Sequence, residues 1–383
     1  MNFDLTEEQQ LLADTTRDLL LRGYGTVEAR NTVVDAALDA GPGYRPEVWQ
    51  QLADTGILGL GLEAPGDPDA SGPIEVLAVM TEVGRRLAPE PIAAAALIPG
   101  AVIAERGTPA QRALLDEVAA GSRLLAFAHT EPGRRGAVQL ATRATEQGGS
   151  WTVTGRKNPV LAGDGADTLV VSAALPGGGS GLFLVDAHDG CGAPRVGYRT
   201  FDGQRGADVV FDVAPAQPLG DGGGADTDAS DAITATVLRF QSALCAEAVG
   251  AMDESLRLTT DYLKTRKQFG VPLKTFQTLT QRAADMYVSL ELARSMSYYL
   301  AVSVADRRFD PTIGARAKLQ IGRSGQHIAQ ESIQLHGGIG VTAEYPIAHY
   351  AARLTAIDQT LGSATDQLRY LAGQVGSYGT VLL

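Results

Sequence analysis

The chain has 383 residues, with 32 Lys+Arg against 44 Asp+Glu and a formal charge of −12. With 44 % apolar and 20 % charged residues, it has the composition of an ordinary globular protein rather than a disordered tail, and its length suits roughly two or three domains. The acidic balance speaks against a basic nucleic-acid-binding face, but leaves local anion sites open.

The first third reads as helical. Thr6 with Gln9 three residues later is a capping-box pattern, and Leu11, Leu12, Leu19 and Leu20 follow at helical spacing. Glu47 to Leu52 opens another helical stretch that Gly56 stops. Ile74 to Leu87 and Ala110 to Ala120 add two more, and residues 1–124 read as one all-α domain. Near Leu124 the pattern changes. Trp151–Thr154, Thr168–Val171, Gly181–Val185 and Asp208–Val213 are short β-branched or aromatic runs bounded by Gly, Pro and Asp. They predict a β-domain over 125–220, an antiparallel barrel or sandwich. Gly220 to Asp226 is a polar, Gly-rich link.

The helical period then returns. Leu238, Cys245, Val249, Met252 and Leu256 form one apolar stripe, and Phe276, Leu279, Ala283, Met286, Leu290 and Ala293 form another. Residues 221–383 therefore read as a four-helix bundle that also packs on other subunits. The expected class is an α+β multidomain protein in the order α, β, α.

Several chemistries are not supported by the residue inventory. Cys191 and Cys245 cannot make a disulfide framework or a cysteine-rich zinc site, and the five histidines lack metal-ligand spacing. No apolar run reaches the roughly 18–20 residues of a membrane span. Met1 to Leu5 carries an acid where a signal peptide carries basic residues, so a cytoplasmic location is the expectation.

Four segments stand out, each ordinary on its own. Thr130-Glu131-Pro132-Gly133 is turn chemistry. Arg266-Lys267-Gln268-Phe269-Gly270 suits a helix end, and so does Gln334-Leu335-His336-Gly337-Gly338-Ile339-Gly340. Glu344-Tyr345-Pro346 suits a helix boundary. In this order and spacing, over the whole α-β-α layout, they resemble the acyl-CoA dehydrogenase family.

That resemblance implies a flavoprotein which desaturates an acyl-CoA between Cα and Cβ, with a carboxylate base taking the α-proton and FAD taking the hydride. It implies that Arg266, Phe269, Gln277, Gln334 and the Gly337-Gly338 turn clamp the diphosphate and ADP part of an FAD lodged mainly in a neighbouring subunit. A guanidinium forks onto a diphosphate, and a Gly-Gly turn lets backbone N–H groups approach an anion.

The departures from the family pattern are confined to the other half of the chemistry. The Ser and Asp of the family's Thr-Glu-x-x-Ala/Gly-Gly-Ser-Asp motif are Gly136 and Ala137 here, and the Trp and Thr of its second flavin motif are Pro159 and Leu161. The two positions where the family places its base are Leu361 and Phe240, neither of which accepts a proton. Glu247 and Glu254 lie nearby in sequence. The expectation is thus a chain with no catalytic residue of its own, resembling the non-catalytic subunit of a bacterial α2β2 acyl-CoA dehydrogenase. It would share FAD with a homologous, base-bearing partner and act on an acyl-CoA, such as a bulky steroid-CoA. Two alternatives stay open: a self-sufficient homomeric flavoenzyme with a displaced base, and a flavin-free scaffold. Ala93 to Ala96 hint at a cleft with room.

Overall fold

The structure, a computed structural model, describes residues 5–36, 41–63, 71–133, 140–188, 190–220 and 228–377. The N-terminal helices are α1 (Glu7–Tyr24), α2 (Val27–Ala36), α3 (Pro46–Asp54) and α4 (Pro73–Arg86). A π-helical turn, Ala93–Leu97, leads into α5 (Ile98–Arg106), then α6 (Pro109–Arg112) and α7 (Leu114–Ala119). The capping box of α1 forms as the sequence predicts: Gln9 N donates to Thr6 Oγ1 at 3.2 Å and Thr6 N donates to Gln9 Oε1 at 3.0 Å. The stretch expected as one helix from Ala110 to Ala120 is divided at Ala113 between α6 and α7.

Seven strands follow: β1 (Leu125–Ala128), β2 (Arg143–Gln147), β3 (Ser150–Leu161), β4 (Thr168–Ala174), β5 (Ser180–Asp186), β6 (Arg195–Arg199) and β7 (Arg205–Pro218). Their pairing runs β1-β4-β2-β3-β7-β5, and β5 returns to β4, so the sheet closes into a small barrel. Most pairs are antiparallel. The departure is β4, which takes β1 alongside it in parallel and touches β2 in parallel at Arg143↔Ala174.

The strands β4 and β5 are buried on both faces, and the two faces serve different cores. Leu169, Val171, Phe183 and Val185 fill the barrel, whereas Val170, Leu182 and Leu184 join the large helical core. That is why these segments read as continuous apolar runs rather than alternating ones.

The C-terminal part contains α8 (Ser230–Thr265), a hairpin of β8 (Lys267–Gln268) and β9 (Val271–Pro272), α9 (Gln277–Ala305), α10 (Pro311–His336), α11 (Pro346–Gln359) and α12 (Ala364–Gly373). The first four helices of this part make the bundle. Leu238, Cys245, Val249, Met252 and Leu256 of the predicted stripe are all buried. The polar link from Asp221 to Asp226 lies outside the described residues. No described helix is long and apolar enough to cross a membrane.

Helix α4 locks the N-terminal helices onto α8 through backbone contact. A Cβ on Gly84 would lie 1.9 Å from Glu247 O, and one on Gly250 would lie 1.8 Å from Thr81 O. Only glycine allows the axes to come this close. The crossing draws Glu247 into the interior, where it is 3 % exposed.

Candidate functional site

Three helix ends converge at one end of the bundle. Helix α8 stops at Thr265, and Arg266 follows in extended backbone, its N–H donating to Tyr262 O at 2.8 Å. The hairpin turns at Phe269 and Gly270, both with positive φ (51° and 82°), as a two-residue hairpin loop demands. Gln277 is the first residue of α9, whose start has no side-chain cap. Helix α10 ends at Gly337, whose φ of 68° and ψ of −144° favour glycine.

Side chains tie these ends together. The Tyr262 and His336 rings lie 4.5 Å apart, Thr259 Oγ1 donates to Ser332 Oγ at 3.2 Å, and Arg282 pairs with Glu331 at 2.5 Å. His336 Nδ1 sits 2.8 Å from Ser332 O and its Nε2 3.2 Å from the Tyr345 hydroxyl. Burial pushes the imidazole below its ordinary range, so it is a neutral strut between α10 and the residues before α11.

On this frame Arg266, Phe269, Gln277, Gln334, Gly337 and Gly338 all face solvent. Among the described residues, the side chains of Arg266, Gln277 and Gln334 have no hydrogen-bond partner. Phe269 is 92 % exposed, and its ring lies edge to face with that of Phe276, centroids 6.1 Å apart. A Cβ on Gly337 or Gly338 would meet nothing within 4 Å. Free guanidinium and amide donors, two aromatic rings and an open Gly-Gly turn suit the diphosphate and adenine of a dinucleotide approaching from outside.

The chain's own cleft has the opposite character. Phe240, Leu161, Ala162 and Ala93 line a cavity of only about 40 Å³, which adjoins a second of about 210 Å³ at Pro91, Ala162, Gln204 and Arg205. Instead of the room hinted at by Ala93 to Ala96, Ala95 and Ala96 are fully packed. The remaining space is bounded by a buried charge network. Arg353 donates to both oxygens of Glu247, at 2.6 and 2.7 Å, and to Asp202 Oδ2 at 2.7 Å. Arg30 in turn donates to the carbonyls of Asp202 (2.8 Å) and Leu87 (3.0 Å).

Both base positions are occupied as the sequence reads. Phe240 is buried in the helical core, and Leu361 sits half-buried at a φ of 55°. Their segments touch, since Gln241, the residue after Phe240, donates from Nε2 to Leu361 O at 3.2 Å. The two nearby carboxylates are both engaged: Glu247 by Arg353, and Glu254 by Arg257 at 2.6 and 2.8 Å. A carboxylate gripped at both oxygens by a guanidinium is a poor proton acceptor.

The segments 130–133 and 155–162, which match the family's flavin motifs, are joined by a pair that sequence reading left unassigned. Lys157 Nζ lies 3.0 Å from Glu131 Oε1 and 3.0 Å from His129 O, fully buried, and Asn158 N donates to Thr130 O at 2.9 Å. Burial pulls the lysine down to about 8. Burial opposes the Glu131 charge, but the N–H groups of Ala141 and Thr142 and the ammonium outweigh it and hold the carboxyl at about 2. Pro159 and Leu161, just beyond, supply no donor toward the cleft. Gly136 and Ala137 lie outside the described residues.

Arg353 was also missed, although it left a signal. It stands between Tyr350 and Leu354 on the buried stripe of α11, where an arginine needs a buried counter-charge.

Comparison with known proteins places this geometry in context. The family description "Acyl-CoA dehydrogenase, N-terminal domain" matches residues 6–122, and "Acyl-CoA dehydrogenase, C-terminal domain" matches residues 232–374. Acyl-CoA dehydrogenase FadE27 of Mycobacterium tuberculosis is 28 % identical over 347 residues, covering 86 % of this chain and 88 % of that protein. Among solved structures, a variant of the Tcur3481-Tcur3483 steroid ACAD superposes with a TM-score of 0.86 at 31 % identity, covering 97 % of this chain and 98 % of that one. The ChsE4-ChsE5 complex from Mycobacterium tuberculosis gives 0.85 at 25 % identity, over 99 % and 100 % of the two chains.

Proposed function

The chain belongs to the acyl-CoA dehydrogenase family, oxidoreductases acting on CH–CH bonds with FAD, and from that premise we propose that it is the non-catalytic half of a two-polypeptide enzyme. Its partner is a homologous subunit that carries the base and cradles the isoalloxazine. This chain completes the partner's site by clamping the other end of the cofactor.

One asymmetry carries the reading: the outward clamp is open, its donors unengaged among the described residues, while the inward cleft has no base at either family position and its carboxylates are charge-locked. Arg266 forks onto the diphosphate, Gln277 and Gln334 donate alongside it, and Gly337-Gly338 brings backbone N–H groups close. Phe269 and Phe276 cover the adenine edge. FAD, when bound, supplies the hydride acceptor for α,β-desaturation of the acyl-CoA. No step is assigned to this chain's own cleft, because Leu361 and Phe240 accept no proton and Pro159 and Leu161 offer no side-chain donor.

The likeness to the Tcur3481-Tcur3483 steroid ACAD supports a bulky, polycyclic acyl-CoA as the substrate of the complex. The likeness to the ChsE4-ChsE5 complex supports the two-polypeptide assembly. The test is the flavin-to-chain ratio of the protein isolated from its native source, with co-purifying chains identified. One FAD per two different chains, the second bearing a Glu at a base position, is the expected result. A homo-oligomer with one FAD per chain would overturn it.

A further inference from the structure

Helix α8 separates two cavities. Phe240, Leu244 and Glu247 face the small cavity of the cleft, whereas Arg239 and Ser242, on another face of the helix, line a cavity of about 330 Å³. That volume is at the lower end of the roughly 300–1,000 Å³ of small-molecule sites. The larger cavity belongs to neither the clamp nor the cleft. Its walls are mostly apolar, built from Val76 of α4, Leu97, Ile98 and Ala101 at α5, and Val304 of α9.

Two buried polar atoms on this lining lack a partner among the described residues, Arg239 Nη1 and Glu63 Oε2. Arg239 is otherwise rigidly held, with Nη2 donating to Glu105 Oε2 at 2.6 Å and its Cζ 4.9 Å from the centre of the Phe309 ring. Arg307 donates to the other Glu105 oxygen at 2.5 Å, so two guanidiniums share one carboxylate. Burial opposes the Glu105 charge, yet the guanidiniums hold its carboxyl below the ordinary range. Glu63 Oε1 accepts from the Ser71 N–H (3.1 Å) and hydroxyl (2.5 Å), and no ion pair joins Glu63 to Arg239. A buried charged donor and a buried acceptor, each short of one bond, are costly unless a guest satisfies both.

We propose that this cavity binds an apolar carboxylic acid that carries a hydroxyl group. The carboxylate accepts from Arg239 Nη1, the hydroxyl donates to Glu63 Oε2, and the hydrocarbon body packs on the apolar walls.

The experiment is calorimetric titration of the full chain with 10-hydroxydecanoate, decanoate and 1,10-decanediol. The hydroxy-acid should bind saturably, at least ten-fold tighter than the diol and several-fold tighter than decanoate. Arg239→Gln should weaken it at least ten-fold, and Ala101→Phe, which fills the apolar end, should abolish it. Ala94→Phe, on the other cavity, should leave affinity within two-fold. No saturable binding, equal binding of the diol, or binding insensitive to Ala101→Phe would overturn the site, and equal binding of decanoate would overturn its hydroxyl requirement. The ligand series uses the unaltered protein, so it decides even if a variant fails to fold.

Discussion

Arg353 grips both oxygens of Glu247, at 2.6 and 2.7 Å, on the wall of the small cavity that Phe240 and Leu161 also line. The pair is buried, with side chains 11 % and 4 % exposed, and Asp202 takes the third guanidinium edge. Burial opposes the arginine's charge, but the two carboxylates raise its affinity for the proton above the ordinary value. The network therefore ties α8, α11 and the turn before β7 together by buried charge.

Removing the cation should show this. Arg353→Met leaves two buried carboxylates uncompensated and should cost about 3–5 kcal/mol in urea unfolding. Arg353→Met with Glu247→Gln should cost clearly less than the sum of the single changes, by about 1 kcal/mol or more. Simple additivity would show that the pair is not coupled.

The clamp should behave in the reverse way. Arg266 is exposed and unpartnered, so Arg266→Ala should change the unfolding midpoint of the isolated chain by no more than about 0.5 kcal/mol. In the purified complex it should weaken FAD retention by roughly ten-fold or more, through loss of a charge-assisted contact worth about 1.5–3 kcal/mol. Full flavin content after extensive dialysis would argue against the clamp.

Restoring a carboxylate at one base position should not restore an enzyme. Leu361→Glu adds an acid, but Pro159 and Leu161 still stand where the family motif carries Trp and Thr. Dehydrogenase activity with an artificial electron acceptor should stay at background in this chain alone. Measurable turnover would mean that a flavin does enter the cleft.

Glu90 makes stability depend on pH. Burial pushes its carboxyl up to about 7, against hydrogen bonds from the Tyr24 hydroxyl and the Arg45 N–H. The folded value lies above the roughly 4.3 of an unfolded Glu, so the folded chain holds an extra proton between these limits. That contribution is complete below about pH 4 and is lost as pH rises through 7. Relative to wild type, Glu90→Gln should therefore gain roughly 3 kcal/mol between pH 4 and pH 8, read from urea midpoints. A gap that stays flat with pH would assign the proton elsewhere.

Much of this was legible in the residues. The capping box at Thr6, the strand runs and the first bundle stripe follow from spacing, because local geometry and burial face determine them; the second stripe packs only from Leu279 onward, since Phe276 precedes α9 and is exposed. Leu11 misled the α1 pattern, for it is 68 % exposed while Leu19 and Leu20 carry the packing. The parallel pairing of β1 with β4 was not legible, because barrel closure depends on partners more than forty residues apart. The clamp residues could be picked out one by one. Their convergence depends on Tyr262 meeting His336 and Arg282 meeting Glu331, contacts between different helices. The charge network of the cleft was equally hidden, since Asp202, Glu247 and Arg353 come from three distant segments.

The Arg353–Glu247–Asp202 network also bears on ancestry. A lineage that lost its base by a single change could regain it by a single reversal. Once the vacated space is held by interlocked charges, each backward step strands a buried ion before any catalytic benefit returns. On the proposed two-polypeptide reading, such a chain is committed to its partner by a ratchet, and the two genes would be inherited, duplicated and lost together.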